Sequence, residues 1–190
     1  KIVELALANF PGWTGRSGVV PNGAYIEYWP ALVDSKFIKE HIHVDGKIID
    51  VIPTSQLNLE EKYYQKIPYE NPKISIDNLK EDYFGKIFGT RSGDKGGCAN
   101  LGVWAKSQEA YSFLFDFLTV KKLKELLPDL EKFEIDRFEL PNIYSLNFYV
   151  HGILQDGVSS STRMDGQAKS LGEYLRAKKI NFPEQLLKQI

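Results

Sequence analysis

Apolar and polar positions change their period several times along this chain, and each change marks a candidate element. From Tyr25, "YIEYWPALV" is rich in aromatic and β-branched residues. "HIHVDGKIIDVIP" then sets an Asp-Gly pair between two short alternating runs, which predicts a hairpin of His41–Val44 with Lys47–Ile52. From Thr54 to Lys80 the chain is polar, carries Pro68 and Pro72 and holds no period, so it reads as a linker. This gives a strand-rich segment over 1–53, which also suits the end of a larger N-terminal domain, a linker over 54–80 and a second domain over 81–190.

In the second domain "YFGKIFG" and "CANLGVWAK" read as strands with a glycine-rich loop between them. "SQEAYSFLFDFL" repeats apolar residues at Ala110, Phe113, Leu114, Phe117 and Leu118, the stripe of an amphipathic helix. "TVKKLKELL" continues helically from Thr119 as N-cap, and Pro128 stops it. "FEIDRFELP" and "YSLNFYVHGIL" read as strands split at Pro141-Asn142, and "GQAKSLGEYLRAKK" places Ala168, Leu171 and Leu175 on one helical face. The order β-β-α-β-β-α predicts an α+β fold, an antiparallel sheet with helices on one face.

Composition narrows the function classes. The 190 residues suffice for one good-sized domain or two small ones. No apolar run approaches the roughly 20 residues of a membrane-spanning helix. With 24 basic and 25 acidic residues the net charge is −1, so no global field holds a polyanion such as nucleic acid, and any anion site must be local. The single cysteine, Cys98, excludes an intrachain disulfide and a thiolate-rich metal site and fits a cytoplasmic setting. The opening "KIVELALANFPGW" lacks a secretory signal and reads as an internal piece of a longer polypeptide or as a chain missing its ends.

The chemistry concentrates in "GTRSGDKGGCANLGVW", Gly89 to Trp104, which packs five glycines with Arg91, Asp94 and Lys95. Backbone N–H groups at Gly93, Gly96 and Gly97 can converge into an anion-binding nest, with Arg91 and Lys95 adding full charges and Asp94 orienting one of them as an ion pair. The spacing fits neither a phosphate-binding P-loop nor a dinucleotide fingerprint. A solvated hairpin loop is the competing reading.

The same stretch, with "FLTVKKLKELLP", "FELPNIYSLNFYVHGIL" and "GVSSSTRMDGQAKSLGEYLRAK", closely resembles the C-terminal region of the acyclic terpene utilisation (AtuA) family over about residues 83–178. The resemblance implies a ferredoxin-like sandwich and a role in breaking down acyclic terpenes or other branched acyl-CoA compounds. It implies no mechanism and no thiol chemistry at Cys98.

Other residues add candidates. His151, at the end of a strand before Gly152, suits an acid or base near neutral pH, or a structural histidine bonded to a backbone carbonyl. In "SSSTRMD" Arg163 is a second anion-binding candidate, while Asp165 suits a helix N-cap. His41 and His43 share one side of a strand but lack a third ligand, so no metal and no cofactor is expected. Two hypotheses follow. In one, Arg91, Gly93, Lys95, Gly96, Gly97, Asn100 and Arg163 grip an acyl-CoA phosphate or carboxylate while His151 or Asp94 moves a proton. In the other, the domain is non-catalytic and docks a partner subunit, a second copy or a missing N-terminal domain; neither involves nucleic acid or a membrane.

Overall fold

A computed structural model describes residues 29–51 and 69–188. They fall into two compact units divided between Tyr69 and Glu70. In the first, a 3-10 turn at Ser35–Phe37 precedes the hairpin β1 (His41–Val44) and β2 (Lys47–Asp50). The antiparallel register pairs His41 with Asp50 and Val44 with Lys47. Asp45 and Gly46 close it with φ of 48° and 73°, the double positive φ of the turn that Asp-Gly favours. The expected hairpin is therefore present. Residues 52–68, most of the expected linker, lie outside the described residues.

The second unit opens irregularly over 70–77, then forms β3 (Leu79–Tyr83), so the expected linker runs two residues into a strand. It continues with α1 (Phe84–Ile87), β4 (Gly89–Lys95), β5 (Cys98–Trp104), α2 (Gln108–Phe117) and α3 (Val120–Leu126). After it come β6 (Ile135–Leu140), β7 (Ser145–Val150), α4 (Leu171–Arg176), β8 (Lys179–Pro183) and α5 (Glu184–Leu187). Four strands form an antiparallel sheet in the order β4-β5-β7-β6, and β3 pairs with β8 in a separate two-stranded sheet. The fold is α+β, as expected. Among the described residues no helix is long and apolar enough to cross a membrane.

Strand alternation fixes which face is covered. Ala99, Leu101 and Val103 of β5 and Leu146, Phe148 and Val150 of β7 are buried, while the residues between them are half-buried or exposed. The helices pack on the buried face: α4 contacts β4 and β5, α3 contacts β6, and Arg137 of β6 donates to the Phe115 carbonyl of α2 at 2.7 Å. Helix caps are local and legible, since the Ser107 and Thr119 hydroxyls accept from Ala110 N and Lys122 N at 3.2 and 3.1 Å.

Several elements differ from the sequence reading. "YFGKIFG" is mostly helix, because Phe84, Ile87 and Phe88 stand at the i, i+3, i+4 spacing of one helical face and all three are buried. Phe88 meets Phe84, Phe113 and Phe182 at ring-centre distances of 4.9, 6.4 and 5.9 Å, which fastens α1 and β8 to α2. The last expected helix is shorter: Ala168 has φ of 52° and α4 begins only at Leu171, although Ala168, Leu171 and Leu175 are all buried as expected. The segment after it, Lys179–Pro183, is a strand with Ile180 and Phe182 turned to the core.

Candidate functional site

The glycine-rich stretch is the hairpin itself and not a loop between strands. Gly93, Asp94 and Lys95 pair with Asn100, Ala99 and Cys98, leaving only Gly96-Gly97 as the turn. Gly96 has φ of 64°, matching a two-residue hairpin with glycine at its first central position. Gly97 O accepts from Leu154 N at 2.8 Å, and a side chain at Gly97 would collide with the Gln155 carbonyl. The expected nest at Gly93, Gly96 and Gly97 is therefore not formed: a strand ladder and a close backbone approach account for these glycines. Nor does Asp94 pair with a neighbouring cation. Lys95 Nζ donates to the Asp94 backbone carbonyl at 2.9 Å, and among the described residues Asp94 makes no ion pair with Arg91 or Lys95.

The register nevertheless brings most of the candidates together. On the sheet face turned away from the helices, one row across the strands is Gly93, Asn100, Tyr149 and Asp136. The next row is Arg91, Gly102, Asn147 and Phe138, and the third is Gly89, Trp104, Ser145 and Leu140. Rows lie about 7 Å apart, two residues along an antiparallel strand. Lys95 also alternates onto this face, beyond the first row.

The middle of this face is a hollow floored by two glycines. Gly102 sits between Arg91 and Asn147, and a Cβ there would make only ordinary contacts, 3.6 Å to Arg91 O and 4.0 Å to Asn147 Oδ1. Beside it, Lys169 reaches in from the segment before α4 and places Nζ 3.3 Å from where a Gly93 Cβ would stand. Asn100 Nδ2 donates to Asn147 Oδ1 at 3.3 Å. Two cations and two amides thus border a space without side chains, an arrangement suited to a carboxylate or phosphate.

At the edge of the first row stands a histidine held by a carboxylate. His151 Nε2 lies 2.8 Å from Asp136 Oδ2, and its ring meets Tyr149 edge-on at 4.9 Å. The ring nitrogen is committed to Asp136 and not to the backbone carbonyl considered from sequence. An Asp136 that accepts from Nε2–H leaves Nδ1 as the ring's acceptor.

Two candidates lie elsewhere. Asp94, opposite Ala99, alternates onto the helix-covered face, away from His151. Arg163 lines a different cleft of about 420 Å³ with Asp129, Leu130 and Tyr174. Asp165 accepts from Lys169 N and Ser170 N at 2.8 and 3.1 Å, just before the start of α4. In the other unit His41 Nδ1 pairs with Asp50 Oδ1 at 2.8 Å. No group of three or more metal-ligating side chains occurs among the described residues.

Asn147, Gly102 and Asp136 were absent from the sequence candidates, although the period of two in "YSLNFYV" sets Asn147 opposite in face to Leu146 and Phe148. Lys169 has no sequence signal, because it reaches the hollow from a turn-rich segment.

Comparison with known proteins agrees with this architecture. No match to a curated protein or to a solved structure was found. The family model described as the AtuA ferredoxin-like domain matches residues 84–181, which run from α1 into β8 and contain the whole four-stranded sheet. Because that match spans just over half of the chain, the protein belongs to the AtuA ferredoxin-like domain family.

Proposed function

We propose that this domain binds the carboxylate or phosphate of an acyl-CoA-type ligand in the hollow over Gly93 and Gly102, and that it serves the cytoplasmic breakdown of acyclic terpenes or branched acyl-CoA compounds. One observation carries the reading: the register collects Arg91, Gly93, Asn100, Gly102 and Asn147 on one face, with Lys169 Nζ above them. In this reading Arg91 grips the anion in bidentate fashion, Lys169 adds a point charge and the asparagines donate amide hydrogens. His151, oriented by Asp136 on the adjoining row, takes or gives the proton if the bound ligand reacts there. Asp94 and Arg163 have no part in it.

Calorimetry with CoA esters on the Arg91→Ala and Lys169→Ala variants tests this. Each lost charge-assisted contact costs about 1.5–3 kcal/mol, roughly a ten- to hundredfold loss of affinity. Unchanged affinity in both variants would overturn the reading.

A second reading, an assembly domain, is favoured by the apolar end of the same face, where Trp104, Phe138 and Leu140 are all exposed. Its check is the oligomeric state of a Phe138→Ser, Leu140→Ser variant, with ester binding measured alongside.

A further inference from the structure

At the other end of the β4–β5 hairpin, we infer a second anion site, one that takes a phosphate group between Lys86, Lys106 and Arg176. These three basic residues line one cleft of about 250 Å³ together with Gly85, Gly89 and Trp104, and no acidic residue lines it. Two of the cations already have carboxylates behind them. Lys86 Nζ meets Asp82 Oδ2 at 2.7 Å and Arg176 meets Glu173 at 3.1 Å. Lys106, exposed at the end of β5, pairs with no carboxylate among the described residues. The cleft therefore holds uncompensated positive charge in a chain whose net charge is −1.

A further feature points to an occupant. Trp104 packs its indole directly on Gly89, where any side chain would collide with it, so one wall is an aromatic ring held in place by the absence of a Cβ. The volume falls below the roughly 300–1,000 Å³ of pockets that enclose a whole ligand. It admits the phosphate group and leaves the rest of the ligand outside, beside Trp104.

This site is independent of the hollow at Gly102: it shares no residue with it, and Lys106→Gln leaves the hollow untouched. The test is a titration of the whole chain with inorganic phosphate at constant ionic strength, followed by tryptophan fluorescence and calorimetry. Adenosine 5′-monophosphate in parallel distinguishes a free oxyanion from a phosphate carried on a ring. Saturable binding is expected, weakened about ten- to a hundredfold in Lys106→Gln. Arg176→Gln should weaken it likewise, but Arg176 also packs on Gly85, so Lys106→Gln is the decisive variant if Arg176→Gln fails to fold. Tighter binding of the nucleotide assigns the ring to Trp104, and equal binding assigns the site to the phosphate alone; both support it. No saturable response to either probe, or a response that Lys106→Gln leaves unchanged, overturns it.

Discussion

Ser92 caps α4 from a strand 80 residues away in sequence: its hydroxyl accepts from Gly172 N at 2.9 Å and donates to Lys169 O at 3.2 Å. The residue preceding the helix, Ser170, makes no side-chain cap of its own. The contact is close because residue 172 has no side chain. A Cβ there would stand 2.8 Å from the Thr90 hydroxyl. Ser92→Ala leaves a buried N–H unpaired and should cost about 1–3 kcal/mol of stability. Chemical denaturation measures it, and a loss within error of zero would refute the capping role.

Gly97→Ala should also destabilise, by about 1–3 kcal/mol, because the added carbon meets the Gln155 carbonyl, a backbone atom that cannot swing away. A glycine kept only for a flexible, solvated turn would tolerate the change. The unfolding midpoint decides between the two.

Gly102→Ala should behave in the opposite way. Its Cβ would make only van der Waals contacts, so folding should be unchanged or slightly strengthened by the stiffer unfolded chain. The methyl group fills the hollow, however, so CoA-ester binding should fall at least tenfold in calorimetry. Full binding with full stability would place the ligand elsewhere.

Asp82 should titrate below the ordinary carboxylate range, first because Lys86 donates to its side chain and then because Tyr83 N does. A depressed folded-state value means stability that is present above the unfolded carboxylate value and lost as pH falls through the folded one. Lys86→Gln should return the Asp82 midpoint toward normal, read by NMR titration of its side chain, and flatten the acid limb of the stability curve. An unmoved midpoint would contradict the pairing.

The four-stranded sheet was legible where one period ran long enough. "SLNFYV" alternates over six residues, and Thr119 and Pro128 bracket α3 with ordinary helix punctuation. The hairpin at Asp45-Gly46 was legible because two residues with positive φ suffice to specify it. What escaped was short or non-local. Helix α1 spans a single turn, and its aromatic residues favour strands as isolated types while their spacing favours a helix. Glycines at 93 and 97 read as loop formers, because what crowds position 93 is Lys169 and what excludes a side chain at 97 is Gln155, both remote in sequence. Grouping Arg91 with Asn100 needed only the hairpin register; excluding Arg163 from that group needed the fold.

The pairing of β3 with β8 has a consequence for how the domain is made. Leu79 lies opposite Pro183 and Tyr83 opposite Lys179, so among the described residues of this unit the first strand finds its partner in the last. Phe84 N and Glu184 N extend the seam, donating to Lys178 O and Asn78 O at 2.7 and 3.0 Å. During synthesis β3 emerges long before β8 exists, and until then it is a bare edge able to pair with a neighbouring chain. Closing so long an intervening segment costs little more at equilibrium than closing a moderate one, since the entropy grows only with the logarithm of length. Its effect falls on timing: the seam is a late step, and a nascent chain stalled before Lys179 carries a complete central sheet with its β3 strand still unmatched.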